Sequence, residues 1–266
     1  MLSSQHRYVA DATYRLHVLA AVTIRAVPHK MKVSNERNPC EAAQQMVEKN
    51  GRFSGVRTLI FDLDGTLIDS QLDLVLSVNA MLEHMGREPH VQEKICSFIG
   101  NGAPTLVRRA LGEDATEADV EKGLAYFLEY YRAHMLDNTD AYPGVREALA
   151  RLQKYPMAVL TNKPVHFSRA IIAGLNLSRY FRHVYGGNSF ETKKPDPQGA
   201  QILLRELQAA PQEAMMVGDS DVDIKTARNA GMHACGVSYG FGTESLRAHP
   251  PDILLDSLSD LPAHLK

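Results

Sequence analysis

Two aspartates, Asp62 and Asp64, stand two positions apart at the end of the run Val56-Arg57-Thr58-Leu59-Ile60-Phe61, and Gly65-Thr66 follows them. Carboxylates this close repel one another, and a hard cation such as Mg²⁺, which takes oxygen ligands, relieves the repulsion. An isolated Asp-x-Asp pair has an ordinary alternative, since Asp also caps helices and closes Asx turns. Other polar signals bear on the choice. Thr161-Asn162 follows the apolar Ala158-Val159-Leu160. Gly218-Asp219-Ser220-Asp221-Val222-Asp223 follows Met215-Met216-Val217, and Lys193-Lys194-Pro195 precedes a helical stretch. Together these supply carboxylates for a divalent ion, a hydroxyl and backbone N–H groups for phosphate oxygens, and an ammonium for the remaining charge. That is the inventory of a phosphoryl-transfer site.

For such groups to meet, the apolar runs before them must be neighbouring strands. The run ending at Phe61 is rich in branched and aromatic residues and reads as a strand buried on both faces. From Tyr142 onward helices and strands alternate. Pro143-Gly144 opens a helix ending near Lys154, followed by a strand at Met157–Leu160, a helix at Val165–Leu175 and a strand at about Phe181–Tyr185. A helix at Asp196–Leu207, a strand at Ala214–Val217, a helix at Asp221–Ala230, strands at Ala234–Val237 and Asp252–Leu255, and a short closing helix complete the pattern. The alternation predicts an α/β fold with a doubly wound parallel sheet. All strand carboxyl ends then share the edge where ligands bind, so Asp62, Asp64, Thr161 and Asp219 should converge there.

Between Asp73 and about His134 the pattern is helical without a strand signal. Leu72, Val75, Leu76, Asn79 and Leu82 predict an apolar stripe on a first helix, stopped by Gly86. Val91–Ile99 and Pro104–Leu111 give a second and a third. The fourth runs from about Thr116 to His134, capped by Thr116-Glu117-Ala118-Asp119, with Leu124, Phe127, Leu128 and Tyr131 facing inward. The reading is an inserted all-helical cap at 71–141 beside a core made of 56–70 and 142–266.

Composition narrows the possibilities. A chain of 266 residues can bury a large core. Its 29 Lys+Arg against 31 Asp+Glu give no charge bias toward nucleic acid or a membrane surface. No apolar run approaches the roughly 18–20 residues that span a bilayer. Cys40, Cys96 and Cys235 offer neither a disulfide framework nor metal-ligand spacing, and the eleven histidines form no metal-binding pair. A cytoplasmic protein, monomeric or homodimeric, is expected. Residues 1–55 read as a poorly ordered N-terminal extension to which no chemistry is assigned. An upstream start, with Met31 or Met46 as initiator, is preferred there over an Arg-rich, acid-poor transit segment.

Taken in order, Asp62-Leu63-Asp64-Gly65-Thr66, Thr161-Asn162, Lys194-Pro195 and Gly218-Asp219-Ser220-x-x-Asp223 resemble the four-motif signature of the haloacid dehalogenase superfamily, over roughly residues 56–266. The helical insertion resembles the cap of its phosphoglycolate-phosphatase-like branch. So do Phe98-Ile99-Gly100-Asn101-Gly102-Ala103 and Gly186-Gly187-Asn188-Ser189-Phe190. The resemblance implies that Asp62 is a nucleophile forming an aspartyl-phosphate, and that Asp64 is the general acid and then the base. It implies Mg²⁺ held by the Asp62 side chain, the Asp64 backbone carbonyl and Asp219, with Asp223 and Ser220 behind them. Thr161, Asn162 and Lys194 would bind phosphoryl oxygens, Gly65 would let the backbone approach phosphate, and Thr66 would fix the loop.

In the insertion, Gly100, Asn101 and Gly102 either offer N–H groups to a substrate carboxylate at the start of the Pro104 helix or form a plain turn. Arg108 or Arg109 could also reach in. Asp69 and Asp73 read as helix N-terminal acids, and Lys193 as solvent-facing. The implied activity is Mg²⁺-dependent hydrolysis of a small phosphorylated substrate, 2-phosphoglycolate first among them, to glycolate and phosphate. Alternatives of the same fold are a sugar-phosphate phosphatase, a pyrophosphatase and a β-phosphoglucomutase-like enzyme. Thr66, where the resembling mutases carry a bulkier apolar residue, favours hydrolysis. An alternative of another class is a non-catalytic module that binds a phosphorylated ligand.

Overall fold

The computed structural model describes residues 53–266, so the expected extension lies outside the described residues up to position 52. Strand β1 (Thr58–Phe61) leads through a tight loop into β2 (Ile68–Asp69). Helices α1 (Gln71–His84), α2 (Gln92–Cys96), α3 (Ala103–Leu111) and α4 (Glu117–His134) come next. The chain returns through β3 (Asp140–Ala141) and continues as α5 (Val145–Arg151), β4 (Met157–Leu160), α6 (Val165–Gly174) and β5 (His183–Tyr185). It ends with α7 (Gln198–Glu206), β6 (Ala214–Gly218), α8 (Asp221–Ala230), β7 (His233–Val237), β8 (Ile253–Leu255) and α9 (Leu261–His264).

Six strands form one parallel sheet in the order β5-β4-β1-β6-β7-β8, the doubly wound α/β arrangement expected. β1 is buried at every position because it is central, with Leu59 aligned to Met157 on one side and to Met215 on the other. Its alternating side chains feed two apolar layers. Leu59 and Phe61 join the larger cluster, which continues without a break into the helical insert at Phe127 and Tyr131, while Ile60 joins a smaller one under α7 and α8. At the far end of the chain Phe53 pairs with Leu265, its N–H donating to the His264 carbonyl at 2.7 Å. No helix among the described residues is long and apolar enough to cross a membrane.

The insert is helical, with local signals where the sequence carries them. Thr116 Oγ1 accepts the Asp119 N–H and Asp119 accepts the Thr116 N–H at 2.9 Å, closing a capping box on α4. The inner stripe of α1 is rotated from the expected one. Leu74, Val75, Val78, Met81 and Leu82 are buried, whereas Leu72 and Leu76 are 44% and 46% exposed. So many apolar residues crowd positions 72–78 that periodicity alone does not fix the phase of the face. α2 stops at Cys96 rather than Ile99, and turns connect it to α3.

The two crossings between insert and core lie side by side, paired as the antiparallel ribbon β2–β3, which the sequence analysis did not anticipate. Strands of two residues leave no period to read. Asp73 lies in the first turn of α1, as expected, and its role is structural. Its buried carboxylate accepts from the Asn138 N–H, Asn138 Nδ2, the Thr139 N–H and Thr139 Oγ1, at 2.7–3.1 Å. It ties the outgoing helix to the returning strand.

Candidate active site

β1 delivers Asp62 to the carboxyl edge of the sheet, where the Asp62 N–H donates to the Val217 carbonyl at 2.9 Å. β6 delivers Asp219 to the same edge, and the first turn of α8 delivers Asp223. Ligand oxygens of Asp62, Asp219 and Asp223 lie within 4.8 Å of one another. Lys194 is buried beneath them, its Nζ 2.8 Å from Asp62 Oδ1 and 2.6 Å from Asp223 Oδ1. Burial alone would pull the lysine down. Asp223 and Asp62 more than offset it and hold Lys194 above the usual lysine range.

The three carboxylates are not equivalent. Asp223 is saturated: Oδ1 takes Lys194, and Oδ2 takes the Ser220 N–H at 3.2 Å and Ser220 Oγ at 2.8 Å. Asp62 Oδ1 has the Lys194 ion pair but no contact in hydrogen-bond geometry. Burial, helped by Asp223 and opposed by Lys194, pushes the Asp62 carboxyl up to about 6. Burial and repulsion from Asp223 and Asp62 push Asp219 up to about 7. An under-satisfied buried carboxylate beside another that resists ionisation is an all-oxygen donor set suited to a hard divalent cation. The backbone is moulded to Asp219. Gly65 has φ +79°, and a side chain there or at Gly240 would collide with the Asp219 carboxylate. The Gly242 N–H donates to Asp219 Oδ2 at 2.9 Å.

Asp64 faces the insert. Ser70 Oγ donates to its Oδ1 at 2.6 Å, and Lys163 Nζ donates to Oδ1 and Oδ2 at 3.0 and 3.1 Å. Lys163 also sits 4.6 Å from the centre of the Tyr131 ring, on α4. The buried Tyr131 hydroxyl meets the same ammonium but not in good hydrogen-bond geometry, a cost of about 1–3 kcal/mol. A desolvated cation–π contact, worth about 2 kcal/mol, offsets it. No role for Lys163 is legible in the sequence. It directly follows Thr161-Asn162, but nothing in linear spacing tells which way its ammonium folds.

Between the carboxyl edge and the insert lies a cavity of about 70 Å³. Of the residues expected at the site, Asp62, Asp64, Gly100, Gly102, Thr161, Asn162, Asp219 and Ser220 line it. Gly65, Thr66, Asn101 and Lys194 do not. Thr66 is fully buried with Oγ1 3.5 Å from Asp219 Oδ1, and Lys194 sits behind Asp62. Asn162 bridges insert and core, its Nδ2 donating to the Gly100 and Lys194 carbonyls at 3.1 Å each. Lys193, exposed as expected, nonetheless reaches the insert and donates to the Asn101 carbonyl at 2.7 Å. Arg108 pairs with Glu117 and Arg109 donates to the Phe98 carbonyl, both at the surface, so neither enters the cavity.

Residues 59–237 match the family of haloacid dehalogenase-like hydrolases. The phosphoglycolate phosphatase of Pseudomonas putida is 38% identical over 213 residues, covering 77% of this chain and 78% of that one. Phosphoglycolate phosphatase 1 of Pseudomonas aeruginosa is 38% identical over 214 residues, with the same coverage. The crystal structure of a predicted phosphoglycolate phosphatase from Haemophilus somnus superposes with a TM-score of 0.74 at 31% identity, covering 78% of this chain and 96% of that one. The chain belongs to the haloacid dehalogenase-like hydrolases. Within that class it is a phosphatase.

Proposed function

We propose that this phosphatase hydrolyses 2-phosphoglycolate to glycolate and phosphate, with Mg²⁺ as cofactor and an aspartyl-phosphate on Asp62 as intermediate. The observation that carries the reading is the Asp62 carboxylate, poised at the cavity floor beside Lys194 and Asp219. The names of the relatives described above support the choice of substrate. Mg²⁺ would be held by the Asp62 side chain, the Asp64 carbonyl and Asp219, and when bound it would neutralise phosphoryl charge. Asp62 attacks phosphorus, and its bond to the phosphoryl group replaces the bond to glycolate oxygen. Asp64, facing the insert and therefore the leaving group, donates the proton glycolate needs. It then takes a proton from the water that cleaves the aspartyl-phosphate. Thr161 Oγ1 and the Asn162 N–H accommodate phosphoryl oxygens, while Lys194 supports the charge on Asp62 from behind. The helices of residues 71–141 act as a cap that excludes bulk water from the cavity.

The test is phosphate release from 2-phosphoglycolate by the purified protein, with Mg²⁺ and after chelation. Mg²⁺-dependent release is expected. Absence of release from this ester under both conditions ends the reading.

A further inference from the structure

The cavity has an uneven lining. Its floor carries Asp62, Asp64 and Asp219, and its opposite wall is apolar, with Ile99, Leu106, Phe127 and Leu128 among the residues there. Among the lining residues one side chain is a cation, Lys163. Its side chain is 5% exposed, so its charge acts in a poorly solvated space. An ammonium has three N–H donors, and Asp64 engages at most two of them. Tyr131 meets Lys163 through its ring. Ser70 Oγ also holds Asp64 Oδ1, at 2.6 Å, so one of the Lys163 donors can turn to a ligand while another keeps Asp64 in place.

These constraints bear on the part of the substrate that is not transferred. A polyhydroxylated leaving group would leave its hydroxyls unpaired against the apolar wall, and each buried unpaired polar group is costly. A short leaving group ending in a carboxylate meets the one available cation, and the two arginines of α3 are committed at the surface. Building on the function proposed above, we infer that Lys163 is the specificity residue of this enzyme, pairing with the carboxylate of a small acidic leaving group while still bonded to Asp64. The same ammonium thereby sets the acid-base group and the leaving group side by side, since both are bonded to one nitrogen.

The experiment compares two esters that differ at one end, 2-phosphoglycolate and the neutral 2-hydroxyethyl phosphate. It uses the full chain with Mg²⁺, as wild type, Lys163→Met and Lys163→Arg, with circular dichroism and thermal melts to establish folding. The readout is the ratio of kcat/KM for the acidic over the neutral ester, whatever the absolute rates. Wild type is expected to prefer the acid, Lys163→Met to lose that preference on the order of a hundredfold, mostly through KM, and Lys163→Arg to recover part of it. If Lys163 only holds Asp64, both esters slow together and the ratio stays constant, which overturns the inference. A wild type that handles the neutral ester as well as the acidic one also overturns it and leaves phosphate-ester hydrolysis standing. A wild type inactive on 2-phosphoglycolate instead overturns the function proposed above, and the inference with it. Should Lys163→Met not fold, the Arg variant decides alone: an unchanged KM for 2-phosphoglycolate together with a lowered kcat on both esters counts against the inference.

Discussion

Lys194 Nζ stands 2.8 Å from the Asp62 carboxylate, and this single ammonium is shared with Asp223, 2.6 Å away. Three carboxylates thus gather around one buried cation, with Asp219 and Asp223 buried and Asp62 partly so. Such a cluster is short of positive charge, and burial amplifies the shortfall because neither water nor mobile ions screen it. The chain tolerates this by weakening ionisation at Asp62 and Asp219, the two members of the cluster that face the cavity. A divalent cation bound among them would restore balance.

Asp62→Asn is expected to lower turnover of 2-phosphoglycolate by at least about a thousandfold, since the amide is no nucleophile. Circular dichroism should be unchanged. Near-normal kcat in this variant would move the nucleophile elsewhere.

The charge shortfall also predicts how metal binding varies with pH. In the metal-free protein the folded-state values of Asp62 and Asp219, about 6 and about 7, lie above the ordinary 3.8. The stability tied to these groups is complete below that ordinary value and is lost as pH rises through about 6 and then about 7. Mg²⁺ competes with those protons. The rise in Tm on adding Mg²⁺ should therefore be small near pH 5 and grow toward pH 8, in rough proportion to the protons displaced. A Mg²⁺ shift that stays flat over this range would show that the ion does not bind these carboxylates.

Asp73→Ala should destabilise the fold by about 2–4 kcal/mol, because it strands the Asn138 and Thr139 donors in a buried site. Urea unfolding measures this. A loss below about 0.5 kcal/mol, the range of ordinary surface substitutions, would mean that the carboxylate does not bind the two crossings together.

Asn162→Ala removes the side-chain bonds to the Gly100 and Lys194 carbonyls but keeps the backbone N–H. The expected cost is about 1–3 kcal/mol, appearing chiefly as a raised KM because the loop at 99–102 is no longer held over the cavity. Steady-state kinetics separates the two constants. A fall in kcat at constant KM would instead place the side chain at the reacting atoms.

The path from sequence to site was readable where chemistry and periodicity coincide. Apolar runs at 58–61, 157–160 and 214–217 end in polar residues, and parallel topology then requires those ends to meet. Asp62 and Asp219 could therefore be brought together from the sequence, across more than 150 positions. What stayed hidden depends on side-chain direction. Lys163 is one lysine among many in one dimension, and only the pairing of β1 with β4 and the approach of α4 give it Asp64 and Tyr131 as neighbours. Asp73 looked like a first-turn acid because its partners at 138 and 139 lie a whole insertion away. The phase of α1 was lost for the opposite reason, an excess of apolar residues rather than too few.

The paired crossings β2 and β3 put both covalent connections of the helical insert on one side of it. Across the cavity, the opposite rim rests on a few hydrogen bonds from Asn162 and Lys193. A panel hung on one post swings but does not slide. A swing about the crossings would widen the gap most at the loop 99–102 and least near Ser70, which is bonded to Asp64. Release through that rim would break the fewest bonds and would leave Asp64, beside the crossings, in place.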